Sequence, residues 1–180
     1  MKLHHNVLSQ DLLDDIYKEL DYKTKEQCWF NNWYDWPKHL REGYPGVTLQ
    51  NYLCDENHDR MISQIQHLFP KVHYTSVTSQ FYMWMRGSGI PRHEDPCYSF
   101  TATLYLNNWD PNFGGWFIWR DEESAKTGIH KAVYPTANSL MISDRFEDHW
   151  VTQVTPNAPD PRVTIQLWGK HENTGNIPRE

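Results

Sequence analysis

Two histidines and one carboxylate in this sequence have the types and the spacing of metal ligands. His93 and Asp95 stand two residues apart in the segment His93-Glu94-Asp95, and His149 lies much further along the chain. On an extended chain, side chains two residues apart point to the same side, so both can reach one ion. Two histidines with one carboxylate leave coordination positions open and are typical of non-haem iron(II) sites. We therefore predict that His93, Asp95 and His149 bind iron(II) and form the catalytic centre.

Arg162 begins a segment in which polar and apolar residues alternate, as in a β-strand with two different faces. One face would carry Arg162, Thr164, Gln166 and Trp168, and the other Val163, Ile165 and Leu167. Because the apolar face suits packing against helices, the polar face would point into the β domain and offer a guanidinium there. Arginine binds a carboxylate through a planar two-pronged contact that lysine cannot reproduce. The alternative is an arginine in a surface ion pair.

Two amphipathic helices are predicted in the first part of the chain. Ser9 is placed to cap the first helix, and Asp55 is placed to cap the second. Their apolar residues recur at helical spacing: Leu12, Leu13, Ile16, Tyr17 and Leu20 in the first, and Met61, Ile62, Ile65, Leu68 and Phe69 in the second, which Pro70 ends. The stretch between them, residues 29–46, is rich in tryptophan, proline and glycine, and we predict an irregular packed loop.

From about residue 75 onward the apolar period changes to two, which is typical of β-strands. The alternation is clear at Phe81, Met83 and Met85 and at Phe100, Ala102, Leu104 and Leu106. Further short strands are predicted at residues 115–119, 131–134, 139–143, 150–155 and 162–168. Evenly spaced short strands indicate a sandwich or barrel, of which a jelly roll is one form. We predict one mainly β domain, with helical support and loop at residues 1–75, a β core at 76–170 and a tail at 171–180.

Composition and charge exclude several classes of protein. Hydrophobic residues make up 38% of the chain and aromatic residues 14%, which is too apolar for a disordered chain. The net charge of −6 gives no overall basic field for nucleic acid, so no nucleic-acid partner is expected. The three cysteines form no CxxC motif, which favours a reducing cytosol. No apolar run is long enough to span a bilayer, so we expect a cytoplasmic protein without a membrane partner.

Several separated pieces of the second half of the chain form a recognisable series. They are, in order, Gly87-Ser88-Gly89, His93-Glu94-Asp95, Thr101-Ala102-Thr103-Leu104-Tyr105-Leu106-Asn107, Trp109, Gly114-Gly115, Pro135, Asn138, His149-Trp150-Val151, Arg162 and Trp168. In order and spacing, this series resembles the 2-oxoglutarate- and iron(II)-dependent dioxygenase superfamily, in particular its prolyl-4-hydroxylase-like branch. The resemblance implies a double-stranded β-helix, or jelly roll, with iron(II) near its open end. It also implies 2-oxoglutarate as cosubstrate and O2 as oxidant, with ascorbate as an optional addition.

The resemblance assigns roles to residues around the predicted metal. Arg162 would bind the distal carboxylate of 2-oxoglutarate together with Tyr105, and Thr164 would place a hydroxyl on the same carboxylate. Tyr82 is a second candidate for the tyrosine. Trp168 corresponds to an aromatic residue on the floor of the iron site. For Tyr82 and Trp168 the alternative is ordinary core packing.

Three features of the series concern the shape of the site. Gly114-Gly115 is expected to form a tight bend where a side chain would clash. The interval between His149 and Arg162 is longer than is usual in the family and is filled by Pro156-Asn157-Ala158-Pro159-Asp160-Pro161. Trp116 stands where relatives often carry an acidic or aliphatic residue. These departures would change the rim of the site and the substrate rather than the chemistry.

The activity that the resemblance implies is hydroxylation of an unactivated C–H bond, with succinate and carbon dioxide as coproducts. We expect a prolyl residue in a peptide or protein as the substrate, because proline-rich segments bind grooves lined by aromatic residues. Aromatic residues around the predicted mouth are Trp84, Tyr98, Trp109, Trp116 and Trp119. The residues predicted to contact the substrate are Trp119, Trp168 and Arg145.

Three alternatives remain beside the prolyl hydroxylase, and the oligomeric state is left open. A free amino acid or another small metabolite would need a charged pocket, which Arg86, Arg92, Arg120 and Arg145 could line in part. A non-catalytic, cupin-like metal-binding module would explain the histidines, but it gives no reason for Arg162 with Tyr105 and Thr164. A nucleic-acid demethylase on this fold is disfavoured, because such enzymes carry a second arginine where Trp168 stands.

Overall fold

The computed structural model describes residues 1–31, 36–144 and 146–171. Its strands are β1 (Lys2–His5), β2 (Phe30–Asn31), β3 (Thr48–Tyr52), β4 (Ser76–Trp84), β5 (Ile90–His93), β6 (Tyr98–Tyr105), β7 (Phe117–Trp119), β8 (Lys131–Val133), β9 (Ser139–Asp144), β10 (His149–Val151) and β11 (Arg162–Lys170). Its α-helices are α1 (Gln10–Lys25), α2 (Lys38–Arg41), α3 (Asp55–Ile65) and α4 (Glu122–Thr127), and single 3-10 turns follow at Gln66–Leu68 and Pro111–Phe113.

The strands form two antiparallel sheets, which gives the predicted double-stranded β-helix. The large sheet has the order β1-β9-β6-β11-β4-β3-β2, and the small sheet has the order β5-β10-β7-β8. Aromatic and aliphatic side chains from both sheets, such as Tyr82 and Tyr105 of the large sheet and Phe117 and Val151 of the small one, meet in one buried cluster. The mainly β fold class is thereby confirmed, while the single-domain organisation stays a prediction.

The two longer helices cover the outer face of the large sheet. Leu12, Leu13 and Ile16 of α1 are buried in the same hydrophobic cluster as Val163, Ile165 and Leu167, which form the apolar face of β11. Burying a leucine or isoleucine side chain stabilises the fold by roughly 1.5–3 kcal/mol, so this contact holds the sheet and helix together. The alternation in the sequence of β11 therefore indicated its packing correctly, and it leaves the polar face of this strand pointing between the sheets.

The helix boundaries agree with the sequence at one N-terminus and differ at the other. Ser9 is the N-cap residue of α1, as predicted, although its hydroxyl accepts a hydrogen bond from Gln64 rather than from its own helix. The N-cap residue of α3 is Cys54 and not Asp55, so this prediction is wrong by one residue. Asp55 lies instead in the first turn, where its negative charge interacts favourably with the positive end of the helix dipole.

Four strands and two short helices were not predicted, namely β1, β2, β3, β5, α2 and α4. β1 pairs with β9 and β3 pairs with β4, so the first 75 residues contribute strands as well as helices. β3 lacks an apolar alternation because it buries the polar side chains of Thr48 and Gln50. The loop predicted at residues 29–46 contains β2 and α2, and its residues 32–35 lie outside the described part. No helix in the described ranges is long and apolar enough to cross a membrane.

Candidate active site

The three predicted metal ligands come together at the small sheet. His93 ends β5 and His149 begins β10, and the two residues pair across these strands. Asp95 follows β5, with its Oδ1 at 3.9 Å from His93 Nε2 and its Oδ2 at 3.5 Å from His149 Nε2. One ligand atom from each residue lies within 4.8 Å of the others. The donor set and its spacing fit iron(II), and the assignment of these three ligands stays a prediction.

Backbone carbonyls orient both imidazoles. His93 Nδ1 lies 2.7 Å from the carbonyl oxygen of Pro91, and His149 Nδ1 lies 2.7 Å from that of Glu147. Because a carbonyl oxygen only accepts hydrogen bonds, Nδ1 of each ring must donate, and in a neutral ring this places the lone pair on Nε2, where it can bind a metal. Phe117 stacks on the His149 ring with the centroids 5.2 Å apart and so restricts its rotation.

The surroundings of His93 favour its neutral form. Burial is the main cause that lowers the pKa of this imidazole below its ordinary value, and a positive charge on His149 lowers it further. The carboxylate of Asp95 acts in the opposite direction and offsets part of this effect. Since a histidine must be neutral to bind a metal, the cluster presents His93 in the form that the predicted site requires.

Arg162 lies between the sheets among aromatic rings. It is the first residue of β11, it pairs across the sheet with Trp84, and its side chain is completely buried. The guanidinium carbon lies 4.9 Å from the ring centroid of Trp84 and 5.2 Å from that of Tyr105. The alternative of a surface ion pair for Arg162 is therefore wrong, since no carboxylate in the described ranges forms a salt bridge with it.

The polar side-chain atoms of Arg162 and Tyr105 have no hydrogen-bond partner among the described residues. All three guanidinium nitrogens and the Tyr105 hydroxyl are buried and unpaired among the residues that the structure describes. Burial lowers the pKa of Arg162 and raises that of Tyr105, and each group partly offsets the shift of the other, although no well-formed hydrogen bond joins them. A buried cation without a partner is costly, so this end of the interior fits an anionic ligand. A carboxylate of 2-oxoglutarate has the required charge and shape.

Thr164, Tyr82 and Trp168 lie on the same inner face as Arg162. Thr164 pairs with Tyr82 on one side and Tyr105 on the other, and its hydroxyl accepts a hydrogen bond of 3.1 Å from Trp84 Nε1. The hydroxyl hydrogen of Thr164 remains available for a ligand. Tyr82 accepts a hydrogen bond from Trp36 Nε1 and packs against neighbouring rings, so core packing accounts for much of its burial.

Trp168 marks the end of the interior that faces the metal ligands. Its ring lies 6.1 Å from the ring of Tyr98, and the backbone N–H of Tyr98 donates to the carbonyl oxygen of Asp95. Arg162 occupies the opposite end of the same strand face. A ligand held by Arg162 would therefore extend along the inner face of β11 toward the triad.

Gly115 makes room for the Arg162 side chain. A Cβ atom on Gly115 would stand 2.8 Å from Arg162 Cδ, and the residue has a φ of +64°, in the region that favours glycine. We expect Gly115→Ala to lower the free energy of unfolding by about 1–3 kcal/mol through backbone strain. It should also weaken 2-oxoglutarate binding, because Arg162 must move. Denaturant unfolding and calorimetric titration with 2-oxoglutarate measure the two effects.

Gly128 provides the matched control for this prediction. Its φ of +73° imposes similar strain on an alanine, but nothing lies within 4 Å of the added Cβ atom. Gly128→Ala should therefore destabilise the protein without changing the affinity for 2-oxoglutarate. Equal affinities in the two variants would show that Gly115 does not position Arg162.

The residues predicted to line the mouth separate into two groups. Trp84 and Trp109 are buried, so their placement at the mouth is wrong: Trp84 packs on Arg162, and Trp109 Nε1 donates to the carbonyl oxygen of Gly114. Tyr98, Trp116 and Trp119 are half-buried, as is Trp168, which was predicted on the floor of the site rather than at its mouth. Trp84 lies two residues after Tyr82 on β4 and so shares the inner face of this strand, which explains why it is not at the mouth.

The arginines considered for a charged substrate pocket have other partners in two cases. Arg92 Nε lies 2.6 Å from Asp148 Oδ2, and Arg86 donates to the backbone carbonyls of Ala158 and Pro159. Arg120 is half-buried at the end of β7. Arg145, predicted to contact the substrate, lies outside the described residues.

The carbonyls that orient the two histidines were not identified from the sequence. In both cases the carbonyl belongs to the residue two positions before the histidine, Pro91 for His93 and Glu147 for His149. This shared offset was the available signal. The stacking role of Phe117 had a weaker signal, its position beside Trp119 on a predicted strand.

Comparison with known proteins identifies the family. The family model described as the 2OG-Fe(II) oxygenase superfamily matches residues 78–170, which is more than half of the chain. The chain therefore belongs to the 2OG-Fe(II) oxygenase superfamily and is a 2-oxoglutarate-dependent dioxygenase, whose cofactors are Fe(II), 2-oxoglutarate and O2. This membership excludes the non-catalytic cupin-like module. No curated protein sequence matches the chain.

Solved structures share the fold at low sequence identity. A prolyl-4-hydroxylase from Pseudomonas putida is 20% identical, with 94% of this chain and 91% of that chain covered and a TM-score of 0.71. A Trichoplax adhaerens prolyl hydroxylase, solved with a hypoxia inducible factor peptide fragment, is 17% identical over 94% and 82%, with a TM-score of 0.67. The alpha ketoglutarate dependent epimerase SnoN from nogalamycin biosynthesis is 11% identical over 93% and 77%, with a TM-score of 0.66.

Proposed function

We propose that this protein hydroxylates a prolyl residue in a peptide or protein and releases succinate and carbon dioxide from 2-oxoglutarate. The observation that carries the proposal is the His93, Asp95 and His149 triad at one end of a buried interior, with the Arg162 guanidinium, unpaired among the described residues, at the other. The similarity of the fold to two prolyl hydroxylases supports the choice of substrate. One of these was solved with a peptide fragment, which supports a peptide over a free metabolite.

In the proposed site, the chain's own residues bind, orient and exclude water. The Nε2 atoms of His93 and His149 and the carboxylate of Asp95 would hold iron(II), and the carbonyls behind the two rings keep those atoms directed at it. When bound, iron(II) with 2-oxoglutarate and O2 supplies the oxidising power that converts C–H into C–OH. Arg162 and the Tyr105 hydroxyl would hold the far carboxylate of 2-oxoglutarate, with the Thr164 hydroxyl as a further donor.

The aromatic interior would strengthen these contacts. The rings of Trp84 and Tyr105 exclude water from the guanidinium of Arg162. The attraction between this guanidinium and an anion is therefore stronger than it would be at the surface. At the metal end, the half-buried rings of Trp119 and Trp168 are the proposed contacts for the substrate, and an aromatic surface suits a prolyl ring. Arg145 stays a proposed substrate contact on the sequence alone.

A free amino acid is the second candidate substrate, and the arginines argue against it. Its ammonium and carboxylate would both need charged partners at the site. Arg92 is paired with Asp148 and Arg86 is bonded to backbone carbonyls, so two of the arginines considered for this role are engaged. The peptide is therefore the favoured substrate.

The test compares peptides and amino acids under identical conditions. The purified protein is incubated with iron(II), 2-oxoglutarate and O2, with and without ascorbate, which we propose as a reductant that sustains turnover. The substrates are a proline-containing peptide, the same peptide with alanine in place of proline, free proline and other amino acids. We expect succinate formation and the mass gain of one oxygen atom on the proline-containing peptide alone.

The other outcomes have distinct meanings. Oxygen gained only by free amino acids would replace the peptide hydroxylase with a small-molecule hydroxylase. Succinate formation with a stereochemical change and no added oxygen would indicate epimerisation, the reaction named for SnoN, which shares this fold. Oxygen gained equally by the alanine peptide would contradict recognition of proline.

A further inference from the structure

The chain between β10 and β11 forms the wall beside Arg162. Val154 and Ala158 of this stretch are fully buried and belong to the same cluster as Trp84 and Tyr105. Val154 Cγ2 and Arg162 Cδ both lie within 3.4 Å of the point where a Cβ atom would stand on Gly115. The stretch therefore closes the interior at the Arg162 end, opposite the end that holds the metal ligands.

Side chains of other segments hold the second half of this wall, residues 155–161, which we call the rear segment. Arg86 Nε donates to the carbonyl oxygen of Ala158 at 2.7 Å, and Arg86 Nη2 donates to that of Pro159 at 3.0 Å. Asn107 Nδ2 donates to the carbonyl oxygen of Pro161, while Asn107 Oδ1 accepts from the Val163 N–H. The prolines of the rear segment have no N–H to donate, so these side chains supply much of its attachment.

The position of Arg86 links the rear segment to the guanidinium of Arg162. Arg86 follows β4 by two residues, and Trp84, the last residue of β4, packs on Arg162. One short stretch of chain thus contacts Arg162 from one side and fastens the rear segment on the other. The last residue of the rear segment, Pro161, directly precedes Arg162, the first residue of β11. The distance between the Arg162 guanidinium and the metal ligands would set the length of diacid that can reach both.

We propose that Arg86 is a positioning residue that fixes the depth of the cosubstrate pocket and so selects 2-oxoglutarate over longer 2-oxo diacids. The inference rests on the proposed role of Arg162 in binding the far carboxylate. Arg86 itself is exposed and touches neither the triad nor the guanidinium of Arg162. It acts by holding Ala158 and Pro159 against the barrel, so that the wall does not yield to a ligand with one more methylene group.

The test measures cosubstrate binding without turnover. Protein loaded with Mn(II) is titrated with 2-oxoglutarate and with 2-oxoadipate, which is one methylene longer, and a pocket of fixed depth should prefer the shorter acid by about tenfold or more. Arg86→Ala should bind 2-oxoglutarate about tenfold more weakly, because two hydrogen bonds from a charged donor are lost. The ratio of its affinities for 2-oxoglutarate and 2-oxoadipate should also be smaller than in the wild type. Arg86→Lys, which keeps one donor, should recover part of both. The affinity for Mn(II) should not change.

Hydrogen exchange reports on the rear segment independently of any ligand. The amide of Ala158, which donates to Thr155, and the amide of Val163, which donates to Asn107, should exchange faster in Arg86→Ala. Arg60→Ala is the matched control, since Arg60 forms ion pairs with Asp15 and Asp11 away from the site and should alter neither amide.

Different results would overturn the proposed function and the role of Arg86. If the wild-type protein does not bind 2-oxoglutarate, the proposed function is overturned and this inference with it. If the wild type binds 2-oxoglutarate while Arg86→Ala keeps the same affinities for both diacids, or the same exchange rates, the inference alone is overturned.

Discussion

The Asp95→Ala variant is expected to lose all 2-oxoglutarate turnover while it keeps its fold. Asp95 supplies the one carboxylate of the triad, and its removal leaves two neutral imidazoles that bind iron(II) weakly. The Asp95 side chain is 20% exposed and forms no other structural contact with the described residues, so truncation should cost little stability. Succinate formation, measured with the preferred peptide, gives the effect on turnover. His93→Ala and His149→Ala should also abolish turnover.

Metal binding provides a second measurement that does not depend on knowing the substrate. A ligand at about 100 times its dissociation constant stabilises the folded state by about 2.7 kcal/mol, so Mn(II) should raise the melting temperature of the wild type. Asp95→Ala should lose this rise. Glu94→Ala is the matched control, because Glu94 is exposed and points away from the ligands on the extended chain. Full turnover in Asp95→Ala, or a lost metal response in Glu94→Ala, would refute the predicted ligand set.

The sequence was most informative where a local period determines the environment of a side chain. The alternation in β11 indicated that Arg162 and Thr164 face inward and that Val163 faces the helices, and both hold. His93 and Asp95 converge because two-residue spacing on an extended chain is a local rule. The partner His149 is a tertiary contact, and among ten histidines the resemblance of the whole series was needed to strengthen its assignment.

Predictions failed where burial depends on distant parts of the chain. Thr48 and Gln50 are polar yet buried, since β4 and the interior cover β3, and no period in the sequence marks such a strand. The prediction of Trp84 at the mouth failed because an aromatic residue near a site can either line its mouth or pack in the interior, and the residue type does not distinguish the two. Val154 was predicted in a strand at residues 150–155, which in the structure ends at Val151, and Ala158 was expected in a longer loop at the rim. Instead, Ala158 is buried, and its carbonyl oxygen accepts a hydrogen bond from Arg86, far away in the sequence.

The N-cap residue of α3 also depends on a contact with a distant part of the chain. Cys54 and Asp55 are neighbours, and a capping preference alone favours the aspartate. In the structure, the Cys54 N–H donates to Glu19 of α1, so a contact between the two helices helps to determine where α3 begins. The side chain of Asn57 donates to the same carboxylate. A local rule therefore gave the helix but not its first residue.

Replacing Arg162 with alanine is expected to weaken 2-oxoglutarate binding by about 100-fold or more, since removal of one partner of a buried charge pair costs about 3–5 kcal/mol. The buried guanidinium has no partner of its own among the described residues, so its charge is available to the ligand. Arg162→Lys should recover only part of the affinity, because an ammonium cannot form the two-pronged contact. Calorimetric titration of the Mn(II)-loaded proteins measures these constants.

Stability without ligand separates this role of Arg162 from a structural one. An unpaired buried cation destabilises the fold, and the lowered pKa of Arg162 has the same cause. Arg162→Met, which fills similar space without charge, should therefore raise the free energy of unfolding of the ligand-free protein by about 1 kcal/mol or more while it abolishes the stabilisation by 2-oxoglutarate. An unchanged affinity in Arg162→Ala would assign the far carboxylate to another arginine, with Arg145 and Arg92 as the residues to replace next. A lower free energy of unfolding in ligand-free Arg162→Met would mean that the guanidinium stabilises the fold, which would contradict a role confined to binding the anion.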